Sequence, residues 1–351
     1  MTTLFPDDCK KLSRRDFLKR TGTGLLACLF LPVLKETERL ISNPLPHRQG
    51  RILSNQATLY DQPSFSGKML QMYWQDLIVP ITGITVGAEE PSYNRVWYEI
   101  NHQGFIHSGS VQPVDTMLNP VRRRIPTVGR LAEITVPFTD TVWSPKTPGR
   151  IAYRLYFGTT YWVNGVFEDD SGKIWYRIPD DKWEMSYYAE GRHLHLINSE
   201  EIAPLSPGIP PEAKRLEIHL EDQVVMAYEG DQPVFMTRAA TGAQFSDGDF
   251  RTPKGQYVTN RKRPSRHMAA GDRAAPNSYD LPGVPWVSYL TKSGIAFHGT
   301  YWHNDFGNPR SHGCINVSSE AARWIYRWTS PHVPINEIYW SEQTGTVVTV
   351  K

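Results

Sequence analysis

Cysteine is scarce in this chain, and neither sign of charge is in excess. The 351 residues include 3 cysteines, and the 38 Lys and Arg residues nearly balance the 36 Asp and Glu residues, which gives a formal net charge of +2. A chain this close to neutral has no global basic field of the kind that draws proteins onto nucleic acid. Nucleic acid is therefore not an expected partner.

Long hydrophobic runs are missing as well. No apolar stretch approaches the roughly 20 residues that a membrane-spanning helix needs, which excludes a polytopic membrane protein. The chain instead has 27 Pro and 26 Gly residues that separate many short apolar runs. This punctuation favours strands and turns over long helices, so we predict a mainly β protein. The length is sufficient for two or three domains with separate cores.

The first 34 residues have the order of an export signal. Arg14 and Arg15 lie in a charged segment that precedes a short apolar one at residues 21–34. A basic segment followed by a short apolar run is typical of a signal peptide, and the paired arginines resemble a twin-arginine translocation signal. The resemblance implies the twin-arginine export machinery as a partner. It also implies that the folded protein reaches the cell envelope, at the outer face of the cytoplasmic membrane or in the periplasm or cell wall.

Two fates of this signal stay open. Leu25-Leu26-Ala27-Cys28 resembles a lipoprotein box, so a lipidated Cys28 would tether the protein to the membrane; otherwise Cys28 is discarded with the signal. Cys9 lies in the same segment, which leaves Cys314 as the cysteine of the folded part. In an exported protein, one unpaired thiol is exposed to an oxidising compartment, which is a liability unless the thiol has a use or is buried. Cys314 is therefore the residue to explain.

Shifts in composition predict seven segments. Two regions of short strand-like runs and a third, longer region are separated by Pro-rich or basic stretches. The predicted boundaries are a signal segment at 1–34, a linker at 35–50, a first β domain at 51–115, a linker at 116–129, a second β domain at 130–204, a Pro-rich linker at 205–212 and a third domain at 213–351.

The first and second β domains resemble bacterial Src-homology-3-like domains, which implies two small barrels. In the first, Ala57-Thr58-Leu59-Tyr60 leads to Val96-Trp97-Tyr98-Glu99-Ile100. In the second, Trp175-Tyr176-Arg177-Ile178 echoes that strand at an offset of 175 − 97 = 78 residues, which indicates a weak internal repeat. Residues 187–194 interrupt the expected spacing, and we interpret them as an insertion.

The third domain is predicted to be β-rich with one or two short helices. Residues 216–220 alternate apolar and polar side chains like a strand, and two further strand-like runs follow at hairpin distance. The helix is predicted over residues 318–328. Ser318 or Ser319 can cap its first turn, and apolar residues recur at helical spacing along it.

Chemistry concentrates between His298 and Cys314, where three histidines and the cysteine fall within 17 positions. A thiol near its reference pKa of about 8.5 is mostly protonated at neutral pH, so a nucleophilic cysteine needs a base or a cation beside it. His298 ends an apolar strand that can aim its imidazole, and Gly313 permits a tight turn before Cys314. The pattern predicts a Cys–His catalytic pair.

Ser311-His312-Gly313-Cys314-Ile315-Asn316, preceded by His298-Gly299, resembles the signature of the L,D-transpeptidase catalytic domain family. The resemblance implies that a cysteine attacks a peptidoglycan peptide stem at the L,D bond between its third residue and D-Ala. The D-Ala then leaves, and the side-chain amine of a second stem takes the acyl group, which gives a third-to-third cross-link in cell-wall biogenesis. Peptide stems are the implied partners, no cofactor is implied, and we expect a monomer.

The resemblance also implies roles for particular residues. Cys314 would be the nucleophile and His298 its proton acceptor and donor. His312 would orient the loop and help to polarise the thiol or the oxyanion, while the amides of Gly313 and Cys314 would stabilise the oxyanion. The residues expected to brace the turn or contact substrate are Ser311, Asn316, Trp302, His303, Tyr289 and Arg310.

Three alternatives remain open at this stage. Water in place of an amine would make the enzyme an L,D-carboxypeptidase. The side chains of His298, His303, His312 and Cys314 would in principle suffice for a four-ligand zinc site, although their spacing lacks the His-Glu-x-x-His helix of zinc hydrolases. From another class, the protein would be a non-catalytic wall-binding protein that acts through its two barrels.

Overall fold

The computed structural model describes residues 47–87, 90–271 and 278–351. The predicted signal segment, including Cys9 and Cys28, lies outside the described residues, as does most of the linker at 35–50. Strands dominate the described ranges, so the predicted mainly β fold class is confirmed. No helix within these ranges is long and apolar enough to cross a membrane.

The first unit, Gln49–Val114, is a seven-stranded sheet in the order β3-β2-β6-β5-β4-β1-β7. Its core contains the fully buried side chains of Trp97, Ile100 and Ile106. The predicted strand over residues 96–100 is present as β5. The strands are β1 (Gln49–Ile52), β2 (Gln56–Tyr60), β3 (Met69–Trp74), β4 (Ile78–Val86), β5 (Val96–Ile100), β6 (Gly104–His107) and β7 (Val111–Val114).

The second unit, Arg130–Leu196, repeats much of this pairing. Its last two strands follow one another through a single 3-10 turn, as β6 and β7 do. Residues 187–194, interpreted above as an insertion, instead belong to these closing strands, so that interpretation was wrong. The strands are β8 (Arg130–Ile134), β9 (Phe138–Val142), β10 (Ile151–Tyr156), β11 (Thr160–Val163), β12 (Gly165–Glu168), β13 (Ile174–Pro179), β14 (Ser186–Glu190) and β15 (Leu194–Leu196).

The third unit, Lys214–Val350, contains two five-stranded sheets and a two-stranded ribbon, in the orders β18-β17-β16-β27-β21, β25-β24-β23-β22-β26 and β19-β20. The strands are β16 (Lys214–His219), β17 (Val224–Glu229), β18 (Gln232–Arg238), β19 (Gln244–Phe245), β20 (Gly248–Asp249), β21 (Gly255–Val258), β22 (Arg261–Ala270), β23 (Tyr279–Tyr289), β24 (Ala296–Gly299), β25 (Ile315–Val317), β26 (Trp340–Ser341) and β27 (Val347–Val350).

Helix α1, Ser319–Trp328, fixes the two sheets of the third unit to each other. Ser318 caps it as predicted, because its Oγ accepts the N–H of Ala321 at 3.2 Å. The apolar face of the helix packs into a core that residues of both sheets share. The buried amine of Lys262 on β22 donates to two carbonyls at the C-terminal end of the helix, at 2.7 and 2.6 Å, which satisfies groups that a helix end otherwise leaves unpaired.

The first unit holds the segment that follows β24. Asn304 donates from Nδ2 to the carbonyls of Ser108 and Val111, at 3.2 and 3.0 Å. The hydroxyl of Tyr93 donates to Asp305 Oδ2 at 3.2 Å. We call this set of contacts the first dock.

The second unit holds the β22–β23 hairpin. His267 on β22 lies between two carboxylates, with Nδ1 at 2.7 Å from Asp180 Oδ2 and Nε2 at 2.5 Å from Asp280 Oδ1. The carboxylate of Asp181 accepts the N–H of His267 at 2.8 Å and contacts Arg266 at 2.5 Å. We call this set of contacts the second dock.

Candidate active site

His298 and Cys314 line one cleft because their strands are neighbours. Strands β24 and β25 pair in parallel, with His298 opposite Asn316 and Phe297 opposite Ile315. Cys314 directly precedes β25 and therefore lies one position before the residue that faces Phe297. Sixteen residues separate the two groups in the chain, since 314 − 298 = 16, and the parallel pairing brings them to the same edge of the sheet.

The turn that carries Cys314 is braced on both sides. The hydroxyl of Ser311 donates to the carbonyl of Cys314 at 2.6 Å and accepts the N–H of Gly313 at 3.1 Å. Thr252 Oγ1 donates to the carbonyl of Gly313 at 2.9 Å. Gly313 has a φ of +112°, a conformation that residues with a side chain rarely adopt. Ser311 thus joins both ends of the turn that carries Cys314.

One part of the predicted oxyanion arrangement differs from this geometry. The N–H of Gly313 is already bonded to Ser311 Oγ, so it does not point freely into the cleft. Of the two amides predicted to stabilise the oxyanion, the amide of Cys314 is the one that remains as a donor. The reason is local, because the hydroxyl of a serine two residues before a glycine can accept a hydrogen bond from the N–H of that glycine.

The imidazole of His298 is oriented by its own strand. Its Nδ1 lies 3.0 Å from the carbonyl of Gly299, and a carbonyl only accepts, so Nδ1 carries the proton and Nε2 keeps a lone pair. Burial lowers the pKa of His298 to about 4, although the bond to Gly299 acts in the opposite direction. The ring is therefore neutral at pH 7 and able to accept a proton.

The thiol of Cys314 is protonated at rest. The side chain is partly exposed to the cleft, but the dense protein around it raises the pKa of the thiol to about 11, and the neighbouring amide of Ala296 only partly opposes this. Sγ donates to the carbonyl of Gly294 across 3.7 Å. A neutral thiol beside a neutral imidazole means that the proton must move during attack, rather than before it.

Both groups open into one cleft with a volume of about 480 Å³. Its walls come from the Cys314 turn, from the segment after β24, from β19 and from the β22–β23 hairpin. The lining residues are Phe245, Met268, Ser278, Tyr279, Leu281, His298, Trp302, Arg310, Ser311, His312, Cys314 and Asn316. We call this space the catalytic cleft.

His312 forms an aromatic wall of the catalytic cleft. Its ring stacks on Phe245 at a centroid distance of 4.8 Å and meets Phe250 edge-on at 4.6 Å. Tyr279 lies across from it at 6.3 Å. These contacts place the exposed ring of His312 in the wall beside Cys314.

Five further predicted residues divide between the catalytic cleft and its surroundings: Trp302, Asn316 and Arg310 line the cleft, whereas His303 and Tyr289 do not. Trp302 lines the cleft with its ring 5.9 Å from that of His298. His303 lies behind the cleft, where its Nε2 is 3.1 Å from Asn316 Nδ2. Tyr289 is absent from the lining, and its ring lies under the guanidinium of Arg261 at 5.0 Å.

Sequence reasoning missed the contribution of the β22–β23 hairpin. Met268, Tyr279 and Leu281 line the catalytic cleft but lie 33 or more positions before Cys314, since 314 − 281 = 33. Burial raises the pKa of Tyr279, and negative charge at Cys314 would raise it further. The useful signal was the length of the apolar run in β23, which requires a partner strand of similar length.

The four side chains of the zinc alternative do not form a ligand cluster. Within residues 47–87, 90–271 and 278–351, no group of three or more His, Cys, Asp or Glu side chains is arranged to hold a metal ion. His312 is held among aromatic rings and His303 is bonded to Asn316.

Comparison with known proteins adds independent information. Residues 213–350 match the family model of the YkuD L,D-transpeptidase catalytic domain. The curated protein named "Putative L,D-transpeptidase YciB" from Bacillus subtilis (strain 168) is 22% identical over 139 residues, which cover 37% of this chain and 68% of that protein.

Two solved structures illustrate the range of structural similarity. The L,D-transpeptidase from Mycobacterium smegmatis is 16% identical with a TM-score of 0.33, and the match covers 68% of this chain and 100% of that one. A mutant Enterococcus faecium L,D-transpeptidase is 19% identical with a TM-score of 0.31, and the match covers 40% of this chain and 50% of that one. This chain thus spans about half the length of the Enterococcus faecium protein. The family that residues 213–350 match is the L,D-transpeptidase catalytic domain.

Proposed function

We propose that this protein is a peptidoglycan L,D-transpeptidase with Cys314 as its nucleophile. The observation that carries the proposal is the pairing of β24 with β25, which brings His298 and Cys314 to one edge of a sheet within the catalytic cleft. The match of residues 213–350 to the L,D-transpeptidase catalytic domain supports the same reaction class.

The first half of the reaction forms a thioester. His298 Nε2 takes the proton from Cys314 as Sγ attacks the carbonyl carbon of the stem's third residue. Because burial disfavours both the thiolate and the imidazolium, this transfer is productive only when a bound carbonyl receives the electron pair. The amide of Cys314 stabilises the oxyanion. The bond to D-Ala then breaks, and D-Ala leaves with the proton from His298.

The second half releases the acyl group. The side-chain amine of another stem attacks the thioester carbon, a C–N bond forms, and the C–S bond breaks. Cys314 recovers a proton through His298, so the pair returns to its neutral resting state. The product is a third-to-third cross-link.

The supporting residues act on geometry and binding. Ser311 holds the turn, and Asn316, fixed by His303, keeps β25 in register with His298. Arg310 lines the catalytic cleft with an exposed guanidinium, suited to a stem carboxylate. We further propose that the reaction takes place in the cell envelope after twin-arginine export.

Release of D-Ala from a tetrapeptide stem tests this function. We expect Cys314→Ala to abolish release and His298→Gln to lower it by about a thousandfold or more, since the second variant removes the base to which the proposal assigns proton transfer. His219→Gln is the matched control, because this histidine is half-buried on β16 and bonded to Glu217 away from the cleft. Release at the wild-type rate by the Cys314 variant would contradict the proposal.

A further inference from the structure

A second cleft, with a volume of about 360 Å³, adjoins the catalytic cleft. Ser54, Phe65 and Tyr93 of the first unit form one side of it, and Trp302 and Arg310 of the third unit form the other. Trp302 and Arg310 also line the catalytic cleft. The two clefts are therefore neighbours, and these two side chains stand at their junction.

The walls of the second cleft are fixed by the first dock. The hydroxyl of Tyr93 and the guanidinium of Arg310 both donate to Asp305 Oδ2, each across 3.2 Å. Asp305 is also packed tightly against Gly109, where an added Cβ would lie 2.8 Å from Oδ1. One carboxylate thus joins a side chain from each wall, so the second cleft is formed before any ligand enters it.

The chemistry of the second cleft suits a peptide that carries a carboxylate. Phe65 is 53% exposed, yet its ring is supported by Trp97 at 4.9 Å and His107 at 5.2 Å. A rigid, exposed aromatic ring binds carbon chains at a low cost in side-chain entropy. Arg310 uses one nitrogen of its guanidinium for Asp305, and the planar fork presents further donors to a carboxylate.

We propose that the second cleft binds the acceptor stem, the amine-bearing peptide that resolves the thioester on Cys314. This inference rests on the proposed function. The donor stem occupies the catalytic cleft as an acyl group, so the amine must arrive from an adjoining space. The second cleft is such a space, and its junction at Trp302 and Arg310 leads to the thioester.

The chemical step requires no further reactant. The amine nitrogen attacks the thioester carbon, the C–N bond forms, the C–S bond breaks, and one amine proton passes through His298 to Cys314. Occupancy of the second cleft raises the local concentration of amine at the thioester. The first unit thereby favours transpeptidation over hydrolysis.

The partition of the acyl group between the amine acceptor and water tests this assignment in the full-length protein. The probe is a tetrapeptide stem whose third residue bears a side-chain amine, which serves as donor and acceptor. Mass spectrometry quantifies cross-linked dimer and hydrolysed tripeptide, and D-Ala release reports acylation separately. We expect Phe65→Ala to lower the dimer-to-tripeptide ratio about tenfold and to raise the KM for acceptor.

A second cleft variant and a control complete the experiment. Ser54→Trp fills the second cleft from the first unit, so we expect it to lower the same ratio even if the aromatic ring of Phe65 contributes little. Trp74→Ala removes an aromatic side chain that is 57% exposed on the same unit but does not line this cleft. We expect the control to leave the ratio unchanged.

The outcomes separate this inference from the proposed function. A wild-type ratio in both Phe65→Ala and Ser54→Trp, with normal D-Ala release, overturns the inference and leaves the transpeptidase intact. Exclusive hydrolysis by the wild type at saturating acceptor overturns both the inference and the transpeptidase assignment, and leaves an acylating L,D-carboxypeptidase. Absence of D-Ala release from the wild type overturns the proposed function itself.

Discussion

The first and second units share much of their strand pairing, yet they hold the third unit by different chemistry. At the first dock, Asn304 donates to backbone carbonyls and Tyr93 donates to Asp305. At the second dock, His267 lies between Asp180 and Asp280. Contacts to backbone carbonyls keep their strength across neutral pH, whereas the carboxylates beside His267 raise its pKa above the usual value, so its contribution depends on pH. The two docks should therefore respond differently to substitution and to pH.

The docks also hold different parts of the site. The first dock fixes residues 301–310, which carry Trp302 and Arg310 at the junction of the two clefts. The second dock fixes the part of the β22–β23 hairpin next to its turn, where Asp280 stands between Tyr279 and Leu281 of the wall of the catalytic cleft. One unit is placed to affect acceptor entry, and the other is placed to affect the shape of the donor site.

Alanine substitution of one glycine at each dock tests how tightly the two docks are packed. We expect this pair of variants to show the largest difference in the free energy of unfolding. At Gly283, φ is +69° and an added Cβ would lie 2.1 Å from the buried ring of Tyr161. At Gly109, an added Cβ would meet the carboxylate of Asp305 at 2.8 Å. We expect Gly283→Ala to lower the free energy of unfolding by about 3 kcal/mol, because neither the backbone nor the packed ring can yield.

We expect Gly109→Ala to lower the free energy of unfolding by about 1 kcal/mol, because the carboxylate oxygen of Asp305 can shift by a few tenths of an ångström. Urea unfolding followed by tryptophan fluorescence measures both variants. Equal losses would show that the two docks are equally tight and would remove the basis for the comparison.

His267→Gln tests the charge of the second dock and should have a smaller effect. Burial lowers the pKa of His267, but the bonds to Asp180 and Asp280 outweigh it, so the pKa is raised overall. A raised pKa means that the stabilisation is complete below the unfolded-state pKa of about 6.5 and is lost as pH rises through the folded-state value. We expect the variant to lose about 2 kcal/mol at pH 6 and less at pH 9.

Tyr93→Phe is the counterpart at the first dock and should have the smallest effect. It removes one hydrogen bond to Asp305, which is worth about 1 kcal/mol. Burial raises the pKa of Tyr93, and the negative charge of Asp305 raises it further, so the hydroxyl stays protonated and the loss should be equal at pH 6 and pH 9. Thermal unfolding of both variants at the two pH values measures this. A pH-dependent loss in Tyr93→Phe, or a constant one in His267→Gln, would contradict the account.

Local features of the fold were predictable from the sequence. Ser318 and the apolar spacing after it gave the helix, and the aromatic and β-branched residues 96–100 gave β5. The interruption at residues 187–194 was misread because spacing was compared with the first unit residue by residue. The longer connection lies before these residues, because residues 180–185 join β13 to β14 where residues 101–103 join β5 to β6.

The site was predictable only where its residues are close in the chain. His298, Ser311 and Cys314 share one segment, and the structure brings them together. Tyr279 and Phe245 reach the catalytic cleft through long-range pairing, which single-sequence patterns do not encode. Tyr289 was misplaced for a related reason. It pairs with Ala296, two positions before His298, and packs beneath Arg261 instead of lining the cleft.

The central claim is that Cys314 becomes acylated by a peptide stem. Intact-mass and peptide-mapping mass spectrometry after rapid quenching of the full-length protein with a tetrapeptide stem tests it directly. The account predicts one adduct with the mass of the acyl tripeptide, mapped to Cys314, together with one equivalent of D-Ala. Release of D-Ala from folded protein with no adduct on Cys314, or an adduct at another residue, would contradict it.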